Sequence, residues 1–311
     1  MCTAISIKHQ TNHAFLARNF DYDSTSQLKL AKIPRNYSYP LEPTLNNFKT
    51  RYSIIGMMLW HEGTHVLVDG MNEKGLSGAI LNLPDACVWN KALVSDGINL
   101  LPTDVSFYCL SQFSSVTELK AAIHQLNIVA PEDHPFAKTT QIHWMFCDKT
   151  GESIVVEQTE SGLCIYDNPI GVLTNGPTFN QQLINISPYL KDSQTAPPLP
   201  GDDSSPSRFI RAGYLKHHLQ WTQQPLSTVT HCFHILENVA LLPGILKQTQ
   251  GEEFETRYTA CMDLKHLRYY LKWYHHLKTQ IIDLKQEQDE CKTLTFFEEI
   301  KRFLLLLTSF V

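Results

Sequence analysis

Residues 1–23 read MCTAISIKHQTNHAFLARNFDYD. Two apolar runs, Ile5-Ser6-Ile7 and Ala14-Phe15-Leu16, flank a polar segment from His9 to His13, which is the pattern of an antiparallel hairpin. With Thr11-Asn12 as a two-residue turn, paired residue numbers sum to 23, so Cys2 lies opposite Asp21 with both side chains on one face. Arg18, three residues before Asp21, then points to the other face of an ideal strand. Either Arg18 reaches the site from the strand's edge or, as is the favoured expectation, the strand is irregular near Asn19-Phe20.

A cysteine directly behind Met1 has a particular chemistry. If Met1 is removed, Cys2 carries a thiol and a free α-amine on one residue. That amine, with an ordinary pKa near ~7.7 to 8.0, can take the thiol proton directly or through water. An arginine at position 18 would favour the thiolate, and a carboxylate at position 21 would orient the ammonium. The plainer alternative is that Cys2 is one more buried thiol.

Outward from the hairpin, short β runs are expected at Thr3 to His9, Ala14 to Phe20, Tyr52 to Leu59 and His65 to Val68, then at IHWMFCD, SIVVEQT and GLCIYD, and last at TRYTACMDL, RYYLKWY and TQIIDL. Ser115 and Glu118 form a capping-box signal ahead of an apolar stripe. Further helices are expected at Thr178 to Ile186, Pro206 to Leu219 and Ser227 to Leu242. Lys191 to Ser207, rich in Pro, Ser and Asp, reads as an exposed loop, and so does the polar Glu132-Asp133-His134. Strand groups at both ends with helices between them point to an α+β layered sandwich.

At 311 residues and 43% hydrophobic content the chain can bury a large core. The net charge of −5 comes without a basic block, which argues against a nucleic-acid partner. Eight singly spaced cysteines make neither a disulfide framework nor a metal knot. With no secretion signal visible, a reducing cytoplasm is the expected compartment. The expected main domain spans residues 2–294, followed by a C-terminal apolar helix or tail over 295–311. Its stretch FLLLLTSFV, Phe303 to Val311, is about half the length a membrane span needs.

Five separated motifs resemble the choloylglycine hydrolase family, which comprises bile salt hydrolases and penicillin V acylases among the N-terminal nucleophile hydrolases. They are MCT at the start, Arg18-Asn19-Phe20-Asp21, VDGMNEKGLSGAILNLP from Val68 to Pro84, DKTGESIVVEQTESGLCIYDNPIGVLTNGPTFNQQL from Asp148 to Leu183, and LPGDDSSPSRFIRAGY from Leu199 to Tyr214. The resemblance implies an αββα four-layer sandwich of two antiparallel sheets between helices, processing by loss of Met1, and hydrolysis of a linear amide without a cofactor. Carried over position by position, Cys2 is the nucleophile, Arg18 and Asp21 are its partners, Asn82 and Asn175 are oxyanion donors, and Arg208, in preference to Arg211, is the remaining site arginine. Turn chemistry alone could also account for Asn82 and Asn175.

Asn82 is the residue typical of bile salt hydrolases at a position where many penicillin acylases carry an aromatic. The expected substrate is therefore a glycine- or taurine-conjugated bile acid, with penicillin V or another N-acyl amide such as an acyl homoserine lactone as runner-up. Phe20, Tyr22, Met58 and Trp60 either line the acyl pocket or belong to the core. The segment from Tyr189 to Leu199 is shorter than the insertion that assembles tetramers in relatives of the bile salt hydrolase type. A homo-oligomer is expected, with the tetramer in doubt.

Two other readings fit the residues less well. His61, Glu62 and His65 spell the zinc motif His-Glu-x-x-His, but Gly63 and the β-branched residues that follow oppose the helix this chemistry needs. A retired fold that only binds a ligand would not need Cys2, Arg18, Asp21, Asn82, Asn175 and Arg208 as a set.

Overall fold

The computed structural model describes residues 1–9, 13–41, 43, 46–61, 64–131, 140–191, 197–220, 224–247, 253–285 and 293–298. Thr11-Asn12, the 132–134 loop, Glu62 and the apolar run 303–311 lie outside the described residues. The first half of the chain forms β1 (Cys2–Lys8), β2 (Ala14–Asp23), β3 (Gln27–Ile33), β4 (Ser38–Leu41), β5 (Asn46–Lys49), β6 (Ile54–His61), β7 (Thr64–Asn72), β8 (Leu76–Asn82) and β9 (Ile98–Leu100). Helices α1 (Val105–Gln112) and α2 (Val116–Ala122) follow, then β10 (Leu126–Ile128), β11 (Ile142–Asp148), β12 (Ser153–Thr159), β13 (Gly162–Asp167) and β14 (Val172–Leu173). Next come α3 (Phe179–Ile186), α4 (Ser205–His218) and α5 (Pro225–Glu237), and finally β15 (Leu246–Lys247), β16 (Glu253–Asp263), β17 (Arg268–Trp273), β18 (Gln280–Asp283) and β19 (Thr295–Phe297).

Two large antiparallel sheets result. One has seven strands in the order β14-β1-β2-β16-β17-β18, with β15 added on β16. The other has eight, β13-β12-β11-β8-β7-β6-β3-β19. The first core cluster joins the facing sides of both sheets to α3, α4 and α5, and the second packs α1 and α2 on the far side of the eight-stranded sheet. This is the expected αββα sandwich. Because both faces of β1 and β2 are covered, nearly every residue in them is buried and polar alternation is weak.

The hairpin register differs from expectation by one residue. Cys2 pairs with Phe20, Ala4 with Arg18 and Lys8 with Ala14, and the His9 amide donates to the His13 carbonyl, so the loop is longer than two residues. A one-residue slip exchanges the faces. Arg18 therefore shares the inter-sheet face of Cys2 with no irregularity between β1 and β2, whereas Asp21 points with Thr3 and Asn19 toward the helical layer.

The irregularities lie in neighbouring strands. Between β2 and β16, Asp21 pairs with Thr256 and Phe20 with Tyr258, leaving Arg257 as an extra residue. Between β6 and β7, Met57 pairs with Asp69 and Met58 with Leu67, leaving Val68 extra. Each bulge turns residues two apart in sequence to opposite faces.

The α1 segment was not anticipated, because nearly all its residues are buried and it lacks an amphipathic stripe. Ser115 caps α2 by accepting from the Glu118 amide, but Glu118 reaches back to Ser114 rather than to Ser115. Thr295–Phe297, expected to open a C-terminal helix, instead pair with β3 as an edge strand. Trp60 pairs with His65 and His61 with Thr64 across β6 and β7, so positions 61 and 65 lie on paired strands and not one turn apart on a helix. No helix among the described residues is long and apolar enough to cross a membrane.

At the end of the sheet away from Cys2, Asp263 closes the β16–β17 turn. It accepts from His13 Nε2 at 2.6 Å, His266 Nδ1 at 2.8 Å and the His266 amide at 2.9 Å. Burial alone would raise this carboxyl, but the amide and the two imidazoles hold it below its ordinary value of 3.8. Its contribution to stability is complete above the unfolded value and disappears as pH falls through the lowered folded value. Asp263→Asn should lose stability at neutral pH and show a flatter acid limb than wild type in urea midpoints measured from pH 7 downward.

Gly56 faces Gly70 across β6 and β7, and a Cβ on it would come within 2.2 Å of the Asp69 carbonyl oxygen. Gly56→Ala should therefore destabilise the chain by about 1–3 kcal/mol, the usual scale of overpacking, read as a lower thermal midpoint.

Candidate active site

The thiol and the backbone nitrogen of Cys2 are held on opposite faces of the β1–β2 pair. On the inter-sheet face the thiol is 3% exposed, and Arg18 Nη2 donates to its sulfur at 2.7 Å. Arg18 Nη1 donates to the Val68 carbonyl at 2.9 Å and lies 3.6 Å from Asp69 Oδ2. The guanidinium sits over the Phe20 ring, 4.7 Å from its centroid. Burial would depress its pKa, but Cys2, Tyr258 and Asp69 together raise it above the ordinary value, so Arg18 stays charged.

On the helical side, the Cys2 backbone nitrogen donates to Asn175 Oδ1 at 2.8 Å. Arg208, from the first turns of α4, donates through Nη1 to the Cys2 carbonyl and to Thr3 Oγ1, both at 2.7 Å. Its Nη2 donates to Asn175 Oδ1 at 2.8 Å. Arg211, three residues further along α4, instead donates to the carbonyls of Pro200 and Asp202.

Asn175 follows β14 and is fixed from several sides. Its amide nitrogen donates to Ser205 Oγ at 2.8 Å, and its side-chain Nδ2 donates to the Asn82 carbonyl at 2.8 Å. Gln182 Nε2 donates to the Asn175 carbonyl at 3.2 Å. The preceding residue is held by the buried His143, which bridges the Thr174 carbonyl and Glu157 at 2.9 Å each. Asn82 thus meets Asn175 through its backbone, with its side chain half-buried at the end of β8.

Asp21 does not face Cys2 across the strands but occupies the helical face. Oδ1 accepts from Thr256 Oγ1 at 2.6 Å. Oδ2 lies 3.8 Å from Arg208 Nη1 and has no hydrogen-bond partner among the described residues. Burial raises its pKa, opposed by Arg208 and the chain-terminal ammonium. Met1, still attached, donates that ammonium to the Asp21 backbone carbonyl at 2.7 Å, and burial lowers the ammonium below its ordinary 8.0.

The four candidate pocket residues divide into two pairs. Phe20 stacks between Tyr22 and Tyr258, with centroids 5.3 and 5.4 Å away, on the side of the seven-stranded sheet that carries the thiol. Met58 is 2% exposed in the outer cluster with α1 and α2, on the face of the eight-stranded sheet turned away from Cys2. Trp60 packs against the same outer cluster, between His65 and Phe296. Strand alternation separates Met58 and Trp60 from the site.

Asp69, Tyr258, Thr256, Ser205 and Gln182 also surround this centre and were not singled out in the sequence. The available signal was Asp69 in LVDGM, a charge inside an otherwise apolar strand. The others are polar or aromatic residues in ordinary positions, and only tertiary contact distinguishes them.

The model for linear amide C–N hydrolases of the choloylglycine hydrolase family matches residues 2–297. A bile salt hydrolase/transferase of Clostridium perfringens (strain 13 / Type A) is 32% identical, the match covering 95% of this chain and 97% of that protein. One from Lactiplantibacillus plantarum is 34% identical, with 92% and 93% covered. The crystal structure of a variant conjugated bile acid hydrolase from Clostridium perfringens superposes with a TM-score of 0.84 at 31% identity, covering 96% of this chain and 97% of that one.

Asn175 Oδ1 is a shared acceptor for two buried N–H donors. Asn175→Ala should take from each its oxygen acceptor, leaving Arg208 Nη2 only the Met1 sulfur at 3.7 Å, at about 1–3 kcal/mol each, seen as a fall in the urea unfolding midpoint.

Proposed function

Because the chain belongs to the choloylglycine hydrolase family of linear amide C–N hydrolases, we propose that it hydrolyses the amide of glycine- or taurine-conjugated bile acids through an acyl thioester on Cys2. The observation that carries this reading is the simultaneous hold on both functional atoms of one residue. The thiol rests on Arg18 at 2.7 Å and the nitrogen on Asn175 at 2.8 Å.

In the proposed cycle Met1 has been removed, and the α-amine of Cys2 accepts the thiol proton while Arg18 stabilises the thiolate. The sulfur attacks the amide carbonyl, and the charge that develops on oxygen is met by the amides of Asn82 and Asn175. The α-ammonium then gives its proton to the departing glycine or taurine nitrogen as the C–N bond breaks. Water, deprotonated by the same amine, attacks the thioester and releases the free bile acid and the thiol.

Asp21, whose Oδ2 has no hydrogen-bond partner among the described residues while Met1 is attached, would receive the new ammonium. Arg208 would hold the Cys2 carbonyl and the acceptor oxygen of Asn175. Phe20 and Tyr22 are the pocket candidates compatible with this face.

The free cysteines among the described residues fit a cytoplasmic location. The short connection between α3 and α4 is the reason to expect a homo-oligomer smaller than a tetramer, which sedimentation equilibrium would measure.

Side-by-side kcat/KM for glycocholate, taurocholate and penicillin V on processed protein should favour a bile salt by more than about tenfold, roughly 1.4 kcal/mol of transition-state binding. A penicillin V preference would overturn the substrate assignment. Cys2→Ser should lose turnover and keep ligand affinity, and protein that retains Met1, verified by intact mass, should be inactive.

A further inference from the structure

A second carboxylate is buried between the sheets beside this site, and the amide-hydrolysis cycle assigns it no task. Asp69, on β7, is fully buried. It accepts from Tyr269 Oη of β17 at 2.6 Å and from Tyr258 Oη of β16. Its Oδ2 lies 3.6 Å from Arg18 Nη1. Both phenols come from the seven-stranded sheet and the carboxylate from the eight-stranded one, so the group spans the interior of the sandwich.

Both bulges described above serve this group. With Arg257 extra in β16, Tyr258 faces inward beside Phe20 while Thr256 faces outward to Asp21. With Val68 extra in β7, its carbonyl accepts from the same Nη1 that approaches Asp69. A buried carboxylate is costly and is usually no better for stability than apolar packing of the same volume. Two bulges and two phenols around one carboxylate beside the arginine of the thiol point to a task.

We propose that Asp69, anchored by Tyr258 and Tyr269, is a positioning residue that fixes the Arg18 guanidinium on the Cys2 sulfur. This rests on the reading of Cys2 as the nucleophile. The need follows from the chemistry: once the thiolate becomes a neutral thioester, Arg18 loses the anion it faces. Asp69 remains as its counter-charge, so the guanidinium stays in place until the thiolate returns.

The test compares processed wild type, Asp69→Asn and Tyr269→Phe in the rate of Cys2 alkylation by iodoacetamide across pH, with the modified residue located by peptide mass. Asp69→Asn should slow alkylation at neutral pH by about tenfold, move the acid limb to higher pH, and lower kcat with KM within about twofold. Tyr269→Phe should act in the same direction with a smaller effect. In an Arg18→Gln background Asp69→Asn should change nothing further, because the effect passes through Arg18.

Simple loss of a nearby negative charge, with Arg18 still in place, would favour the thiolate and move the acid limb to lower pH. That result, or an unchanged profile in folded Asp69→Asn, would overturn the proposal, as would an undiminished effect in Arg18→Gln. If Asp69→Asn does not fold, Tyr269→Phe carries the same decision. Alkylation needs no substrate, so a chain that hydrolyses none of the amides offered but shows the Arg18-dependent shift would refute the bile acid reading and uphold this one.

Discussion

A fully buried guanidinium donating to a buried thiol at 2.7 Å is the contact around which the rest of the structure is arranged. A charge in a sandwich interior survives only if it is matched on every side. Arg18 meets sulfur from β1, an aromatic face from its own strand, and a carbonyl and a carboxylate from adjacent residues of β7 in the opposite sheet. The strand register, the two bulges and the sheet-to-sheet packing are thereby tied to one another. A slip in any of them would leave a buried ion unmatched.

The sandwich also lets one residue work in two layers. Cys2 lies on a strand covered on both faces, so its side chain enters the space between the sheets while its backbone nitrogen and carbonyl are reached from the helical side by Asn175 and Arg208. The two environments differ in kind. The inner one has a charge held among apolar and aromatic walls, whereas the outer one is a dense net of amide, hydroxyl and guanidinium groups. Asn175 is fixed by Ser205 and Gln182 from two separate helices, so the helical layer sets the position of the acceptor that meets the Cys2 nitrogen.

Much of this was legible in the residues. Strand runs in the first hairpin and in IHWMFCD and SIVVEQT carry β-rich, turn-bounded patterns, and α3, α4 and α5 carry clear N-terminal signals, with Pro at the start of α4 and of α5. Arg208 was separable from Arg211 by motif alignment, and their contacts differ accordingly. Helix α1 escaped notice because burial on all sides removes the periodicity on which sequence reading depends. The strand at Thr295–Phe297 was missed because three residues are too few to display a period, and the apolar run beyond them suggested a helix.

By itself the sequence determined the class of fold and the candidate residues, since the hairpin pattern, a cysteine at position 2, an arginine at position 18 and an aspartate at position 21 are local facts. It could not determine which face each residue takes. An antiparallel pair looks the same one residue out of register until its loop length is known, and that single residue decides whether Arg18 or Asp21 shares the face of the thiol. Only the tertiary structure decided it, because the cost of burying Arg18 is relieved in one register alone, the one that lets its guanidinium reach the sulfur, Val68 and Asp69 from the opposite sheet. The same long-range matching separates Met58 and Trp60 from Phe20 and Tyr22, which composition and spacing leave equivalent.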